Sequence, residues 1–238
     1  MKNYIIPFIL MVGLLFLAGC SSGPIQAYPP TSPEGLTLMD HSRSRVNAIY
    51  LREGADLSTY DQVQLLDPQV AFKVGWQERV NQQQRIGQIS DQDMDKMAAK
   101  GKELLIMEFT RALESGGYKI VGRAGPNVLG LKAYLRELDV YAPNPNNMEN
   151  PYSQTYTRGG GDATLTLEIY DSMTGQLLAR VIDRKAGYDN PKGDRSVRSQ
   201  ESNIEDTRLA FANWARMLAE GLNLLNSGKI ILQPRVSQ

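Results

Sequence analysis

Apolar and polar positions alternate strictly from Ala163 to Tyr170. Ala163, Leu165, Leu167 and Ile169 fall on one side, and Thr164, Thr166, Glu168 and Tyr170 on the other. A period of two marks a strand with one buried face. It assigns Glu168 to the wet face. Asp171 to Gly175 follows as a hairpin turn, with Gly175 free to take positive φ. Leu177 to Asp183 reads as the return strand. Val128 to Tyr141 reads as a longer strand whose phase slips: Leu131, Ala133 and Leu135 alternate, then Leu138 and Val140. A one-residue bulge near Arg136-Glu137 accounts for the slip. Shorter strands are predicted at Val46 to Arg52, Gln62 to Leu66 and Tyr118 to Val121. An edge strand is expected from Val70 to Trp76, and a last one from Ile230 to Leu232.

The period becomes helical twice. In Ser90 to Ser115, Met94, Met97, Leu104, Leu105, Phe109, Ala112 and Leu113 share one stripe. Ser90 is the expected cap, Asp91 and Asp93 favour the helix N-terminus, and Gly116-Gly117 ends it. In Ser202 to Ser227, Ile204, Thr207, Phe211, Trp214, Leu218, Leu222 and Leu225 line one face. Ser202 and Glu205 have capping-box spacing, and Gly228 is the stop. Residues 77–89, 143–161 and 187–199 read as loops. The expected fold is α+β, an antiparallel sheet packed against two amphipathic helices.

The first residues follow neither period. After Lys2, Ile5 to Ala18 is apolar, broken by Pro7 and Gly13, and ends in Leu17-Ala18-Gly19-Cys20. This has the form of a signal peptide. It is shorter than the roughly 20 apolar residues a membrane-spanning helix needs. Leu-Ala-Gly-Cys resembles the bacterial lipobox. That resemblance implies a chain cleaved before Cys20, lipidated on its thiol and working in the cell envelope. Ser21 then implies the outer membrane, facing the periplasm. The expected organisation is a signal peptide at 1–19, lipidated Cys20 and a flexible Pro/Ser/Gly tether over 20–45, and one α+β domain over 46–238. Gly35 to Met39 is apolar enough to pack on that domain.

Composition narrows the chemistry. The 26 basic and 26 acidic residues balance, so no basic face argues for nucleic acid. Cys20 is the one cysteine and His41 the one histidine. Ser-His-Asp, Cys-His and His-rich zinc sites therefore lack their parts. Gly159-Gly160-Gly161 lacks the Lys-Ser/Thr and the helix of a phosphate loop and reads as a flexible loop end. Asp91, Asp93 and Asp95 lack the glycine and glutamate of a calcium loop. Glu168, Asp171 and Asp183 flank the hairpin and are the carboxylates a glycan or lipid hydrolase would use. No catalytic, cofactor or metal residue is assigned. Two loops offer binding surfaces: one with Tyr141, Tyr152, Tyr156 and Arg158, the other with Arg184, Lys185, Lys192, Arg195 and Arg198. Tyrosine and arginine dominate interface hot spots, and the second loop forms a cationic patch. The ordinary alternative for both is solvated loop, and for Trp76 and Trp214 it is core packing.

A wider set of residues carries a family likeness. Tyr60-Asp61-Gln62-Val63, Asp67-Pro68, Val70 and Trp76 are followed by Gly117-Tyr118, Val128-Leu129, Asp139-Val140 and Ala142-Pro143. Leu167-Glu168-Ile169-Tyr170-Asp171-Ser172 with Thr174-Gly175, and Trp214-Ala215, complete it. In order and spacing these resemble the bacterial lipoprotein family called domain of unknown function 3313, over residues 35–225. The resemblance implies an envelope lipoprotein with an α+β domain, and supplies no catalytic residues. The expectation is a non-enzymatic lipoprotein, held to the membrane through Cys20, that binds an envelope protein or peptidoglycan through its loops. The alternatives are an accessory subunit of an export, efflux or surface-assembly system, and the carboxylate hydrolase.

Overall fold

The hairpin predicted around Asp171–Gly175 is the centre of the molecule. In the computed structural model its strands are β8 (Gly161–Asp171) and β9 (Leu177–Lys185), and Gly175 turns at φ +69°. The structure describes residues 28–40, 45–83, 88–140, 156–157, 161–185, 196–197, 200–227 and 232–235. An eight-stranded open sheet grows outward from the hairpin. Its order is β1 (Thr37–Leu38), β2 (Ala48–Leu51), β9, β8, β6 (Val128–Val140), β3 (Gln62–Leu65) and β5 (Lys119–Ile120). β4 (Gln69–Phe72) pairs with β6 beside β3.

The sheet is mixed rather than antiparallel. β3 and β4 run parallel to β6, and β5 runs parallel to β3. Parallel neighbours need a long crossover. Here α1 (Trp76–Gln83) and α2 (Asp91–Ser115) lie between β4 and β6 in sequence and supply it. α1 replaces part of the expected 77–89 loop, and Trp76 opens it instead of closing a strand. Only Trp76 and Val80 are buried on this Gln-rich helix, too narrow a stripe for periodicity to register. Trp76 stacks on Phe72 at 4.8 Å, and its indole N–H donates to the Val140 carbonyl at 3.2 Å.

The long elements fall close to expectation. Ser90 caps α2 reciprocally with Asp93, and Gly117 takes φ +93° just past its end. The β6 slip is a bulge between Arg136 and Asp139, with Glu137 at φ +52°. Beyond it Asp139 turns inward and Val140 pairs with Gly161. A Cβ on Gly161 would lie 2.2 Å from the Asp139 carbonyl oxygen. Gly161 is therefore the buried first residue of β8, not a loose loop end. α3 (Gln200–Asn226) starts two residues before Ser202, so Ser202 is not its cap. Glu205 pairs instead with Arg208 at 2.7 Å. Gly228, Ile230 and Ile231 lie outside the described residues. Pro234 forms a bridge to Met39.

α2 and α3 cover one face of the sheet. Leu113, Phe211 and Ala215 are fully buried there among Leu129, Leu131, Leu135, Leu165 and Ile169. On the opposite face, residues 28–40 fold back on themselves. Thr31 bridges Thr37, and Gly35 turns at φ +77°. Leu36 and Leu38 bury against Ala48, Tyr50 and Leu177. The portion of the expected tether from Tyr28 to Asp40 is thus part of the fold.

Candidate functional site

Three strand ends and the start of α3 converge on one rim. β6 ends at Val140, β8 begins at Gly161 opposite it, and β9 ends at Lys185 opposite Ala163. The two candidate binding loops are the connections β6–β8 and β9–α3. A short antiparallel ribbon joins them: β7 (Tyr156–Thr157) pairs with β10 (Ser196–Val197), Tyr156 facing Val197. Surfaces that looked separate in the sequence share one ribbon. Tyr141, Tyr152, Arg158, Lys192, Arg195 and Arg198 lie outside the described residues, as do Cys20 and His41.

Arg184 and Lys185 are not loop residues. They continue β9, because Thr164 and Ala163 remain available as partners. Arg184 is exposed, and its backbone N–H donates to Asn47 Oδ1 at 2.7 Å. Lys185 turns back, its Nζ 3.2 Å from Asp183. There it neutralises a buried carboxylate.

Four carboxylates are buried among the described residues: Glu108, Asp139, Glu168 and Asp183. Buried charge is tolerated only when paired, and each has a donor. Glu108 joins α2 to α3 through Arg111 at 3.2 Å and Arg208 at 3.3 Å. Asp139 receives Arg79 and, at 3.4 Å, Lys73. Asp183 accepts the Trp214 indole N–H at 2.7 Å.

Glu168 corrects the expectation of a wet face. The fold-back covers it, and Arg180 Nη2 binds it at 2.6 Å. The same guanidinium holds Glu34 with two contacts of 2.8 and 2.9 Å. Tyr170 donates its hydroxyl to Glu168. Burial pushes the Glu168 carboxyl up, but the Tyr170 and Arg180 hydrogen bonds outweigh it and leave it below its ordinary range. Arg180 holds Glu34 down at about 2. Tyr60, desolvated and bonded to Asp171 at 2.7 Å, is pushed up to about 12.

The hairpin carboxylates are not gathered. Asp183 lies on the helix face opposite Leu165, and Glu168 on the other face opposite Arg180. Asp171 stays in the turn, accepting from Thr174 at 2.7 Å. Among the described residues no three His, Cys, Asp or Glu side chains converge as a metal site. A shallow apolar recess, lined by residues such as Leu65, Leu105, Ile106 and Phe109, contains none of these groups. No helix among the described residues is long and apolar enough to cross a membrane.

Arg180, Glu34 and Glu108 were not singled out from the sequence, and Asp139 entered only as part of the family likeness. The Arg180–Glu168 pair was hidden there, because the register set by the turn, Tyr170 opposite Leu177, continues to Glu168 opposite Ala179, and only the irregularity between Ile169 and Tyr170 brings Arg180 into place. Glu34 carried no local signal.

No curated protein matches the chain. Among solved structures it is similar to the PelC dodecamer from Paraburkholderia phytofirmans, at 10% identity and a TM-score of 0.35 over 72% of this chain and 96% of that one. It is similar to a DUF330 protein from Xanthomonas campestris, at 12% identity and a TM-score of 0.41 over 71% and 87%. A DUF4136 protein from Bacteroides thetaiotaomicron matches at 11% identity and a TM-score of 0.32 over 71% and 95%. Scores this low transfer no property to this chain. The family described as protein of unknown function DUF3313 matches residues 30–218, most of the sequence and nearly all of the sheet and helices. The chain belongs to that family.

Proposed function

We propose that this protein is a non-enzymatic lipoprotein of the cell envelope, anchored through Cys20 to the outer membrane and facing the periplasm. It binds an envelope protein or peptidoglycan with the paired β6–β8 and β9–α3 connections. The observation that carries the binding half is the β7–β10 ribbon, in which Tyr156 pairs with Val197. The two connections joined in this way are rich in tyrosine and arginine by sequence, the residue types that anchor interfaces. The anchor half rests on Leu17-Ala18-Gly19-Cys20 after an apolar run. The hydrolase reading has no support in the geometry, because Glu168 and Asp183 sit on opposite faces of the sheet and each is already paired.

Crosslinking in intact cells, followed by capture of the full-length protein from membranes, tests the reading. A stoichiometric envelope protein, or recovery with peptidoglycan, lost in a Tyr156→Ala/Arg195→Ala double variant, is the expected result. A membrane-complex partner would make it an accessory subunit of an export or assembly system. Capture unaffected by that variant would remove the ribbon as the binding surface. Cys20→Ser should leave the domain folded but release it from the membrane fraction; continued membrane fractionation would remove the anchor.

A further inference from the structure

Residues 28–40 fix where the chain enters the fold. The Leu38 N–H donates to the Pro30 carbonyl at 2.8 Å, and the Tyr50 hydroxyl to the Pro29 carbonyl at 2.9 Å. Thr37 and Leu38 pair with Leu51 and Tyr50, and Ala48 pairs with Ile182. Stepping back from Pro30 therefore brings Tyr28 toward the level of Asn47 and Arg184. That is the rim where β6 and β9 end and β8 begins. The opposite rim carries the Asp171–Gly175 turn.

Cys20 precedes Tyr28 by eight residues. Whatever its conformation, that stretch cannot exceed about 29 Å, at ~3.6 Å per residue. β8 has 11 residues and is about 36 Å long at ~3.3 Å each. A lipid on Cys20 cannot leave the Tyr28 rim far from the bilayer, and it reaches the turn rim only by stretching to its limit alongside the sheet.

The same rim holds an unusual side chain. β4 runs parallel to β6, so its end lies there too, and Val74 follows it fully exposed. Gly75 turns the chain at φ +72°, leaving Val74 at the tip. Lys73 and Arg79 flank it, with side chains 56% and 42% exposed. An apolar tip beside two partly exposed cations, both also paired with Asp139, suits the boundary between acyl chains and headgroups. Net charge does not select this face: exposed Arg45 and Arg184 are offset by Asp40 and Glu78. What selects it is the short strap and the apolar tip.

We infer that the rim formed by Val74, Lys73, Asn47 and Arg184 rests on the lipid bilayer, with the Asp171–Gly175 turn pointing away from it. This depends on the anchored reading above. It narrows that reading, because the two binding connections then leave the sheet at the membrane surface and meet a partner in or beside the bilayer.

The test uses full-length lipidated protein in vesicles of phosphatidylethanolamine and phosphatidylglycerol at about three to one. Val74→Cys and Met173→Cys each receive an environment-sensitive fluorophore; Met173 is an exposed residue of the far turn. Quenching by a nitroxide-bearing lipid should be at least threefold stronger at position 74, with a blue-shifted emission there. Equal quenching, or stronger quenching at 173, in protein that still floats with the vesicles overturns the orientation alone. Protein that does not float, with an unmodified Cys20 by mass spectrometry, overturns the anchor and the orientation with it.

Discussion

On the helix-covered face of the sheet, Leu113, Phe211 and Ala215 have no solvent exposure, and Phe211 lies 6.0 Å from the Trp214 ring. On the other face, the fold-back of residues 28–40 is held by a few apolar contacts and by Arg180 gripping Glu34 and Glu168 together. The first face is stabilised by area removed from water, which is non-directional and adds up over many side chains. The second adds the directional contacts of one guanidinium to the burial of Leu36 and Leu38 and the pairing of β1 with β2. One sheet thus carries a face closed by broad apolar packing and a face whose smaller cover leans more on a single fork.

The contrast predicts where damage will be global and where it will be local. Phe211→Ala should cost about 3–5 kcal/mol, the range for deleting a buried aromatic side chain. Urea unfolding should show it as one shifted transition for the entire domain. Arg180→Met should cost less, about 2–3 kcal/mol, because both carboxylates retain some contact with water. Its damage should concentrate on one segment: amides of residues 32–38 lose hydrogen-exchange protection while those of α2 and α3 keep theirs. A uniform loss of protection across both faces would mean that the two are one cooperative unit.

How much of this was legible in the sequence follows the same division. The helix face was, because Leu104, Phe109 and Leu113, like Phe211 and Trp214, repeat at helical spacing, and Leu165 to Ile169 at strand spacing. Even the bulge showed as the slip from Leu135 to Leu138. The other face was hidden, since its cover depends on residues far apart: Glu34 meets Arg180 across 146 positions. Glu168 therefore looked wet when it is covered. α1 was missed because two buried residues make no pattern, and the parallel pairing of β3 and β4 because strand direction leaves no periodic trace. At the candidate site, residue types and loop positions were readable, but the joining of the two loops through Tyr156 and Val197 was not.

Trp214→Phe probes a polar contact inside the apolar face. The ring volume is mostly kept, but Asp183 loses the indole N–H and retains Lys185. Losing a hydrogen bond to a buried charged group costs about 1.5–3 kcal/mol. The lower end is expected here because Lys185 remains. If the variant matches the parent in urea midpoint, Asp183 is held by Lys185 alone and the helix face owes nothing to this contact.

The smallest effect sharpens the comparison most. Glu34 is held at about 2 by Arg180, against an ordinary value of 4.5. A carboxyl depressed in the folded state adds stability above its unfolded value, and that contribution disappears as pH falls through the folded one. The Glu34 contribution is therefore complete above about pH 4.5 and lost between there and about pH 2. Glu34 is partly exposed and screened by water, so the loss is only about 0.5 kcal/mol. It should not change the stability of the helix face. Amide NMR signals of Leu36 and Leu38 should broaden as pH drops through that window, while those of Leu113 and Phe211 hold. Glu34→Gln should show the broadened Leu36 and Leu38 signals already at neutral pH and no further step from this group. A parent whose fold-back signals stay sharp down to pH 2 would show that Leu36 and Leu38, not the Arg180 fork, keep this cover in place.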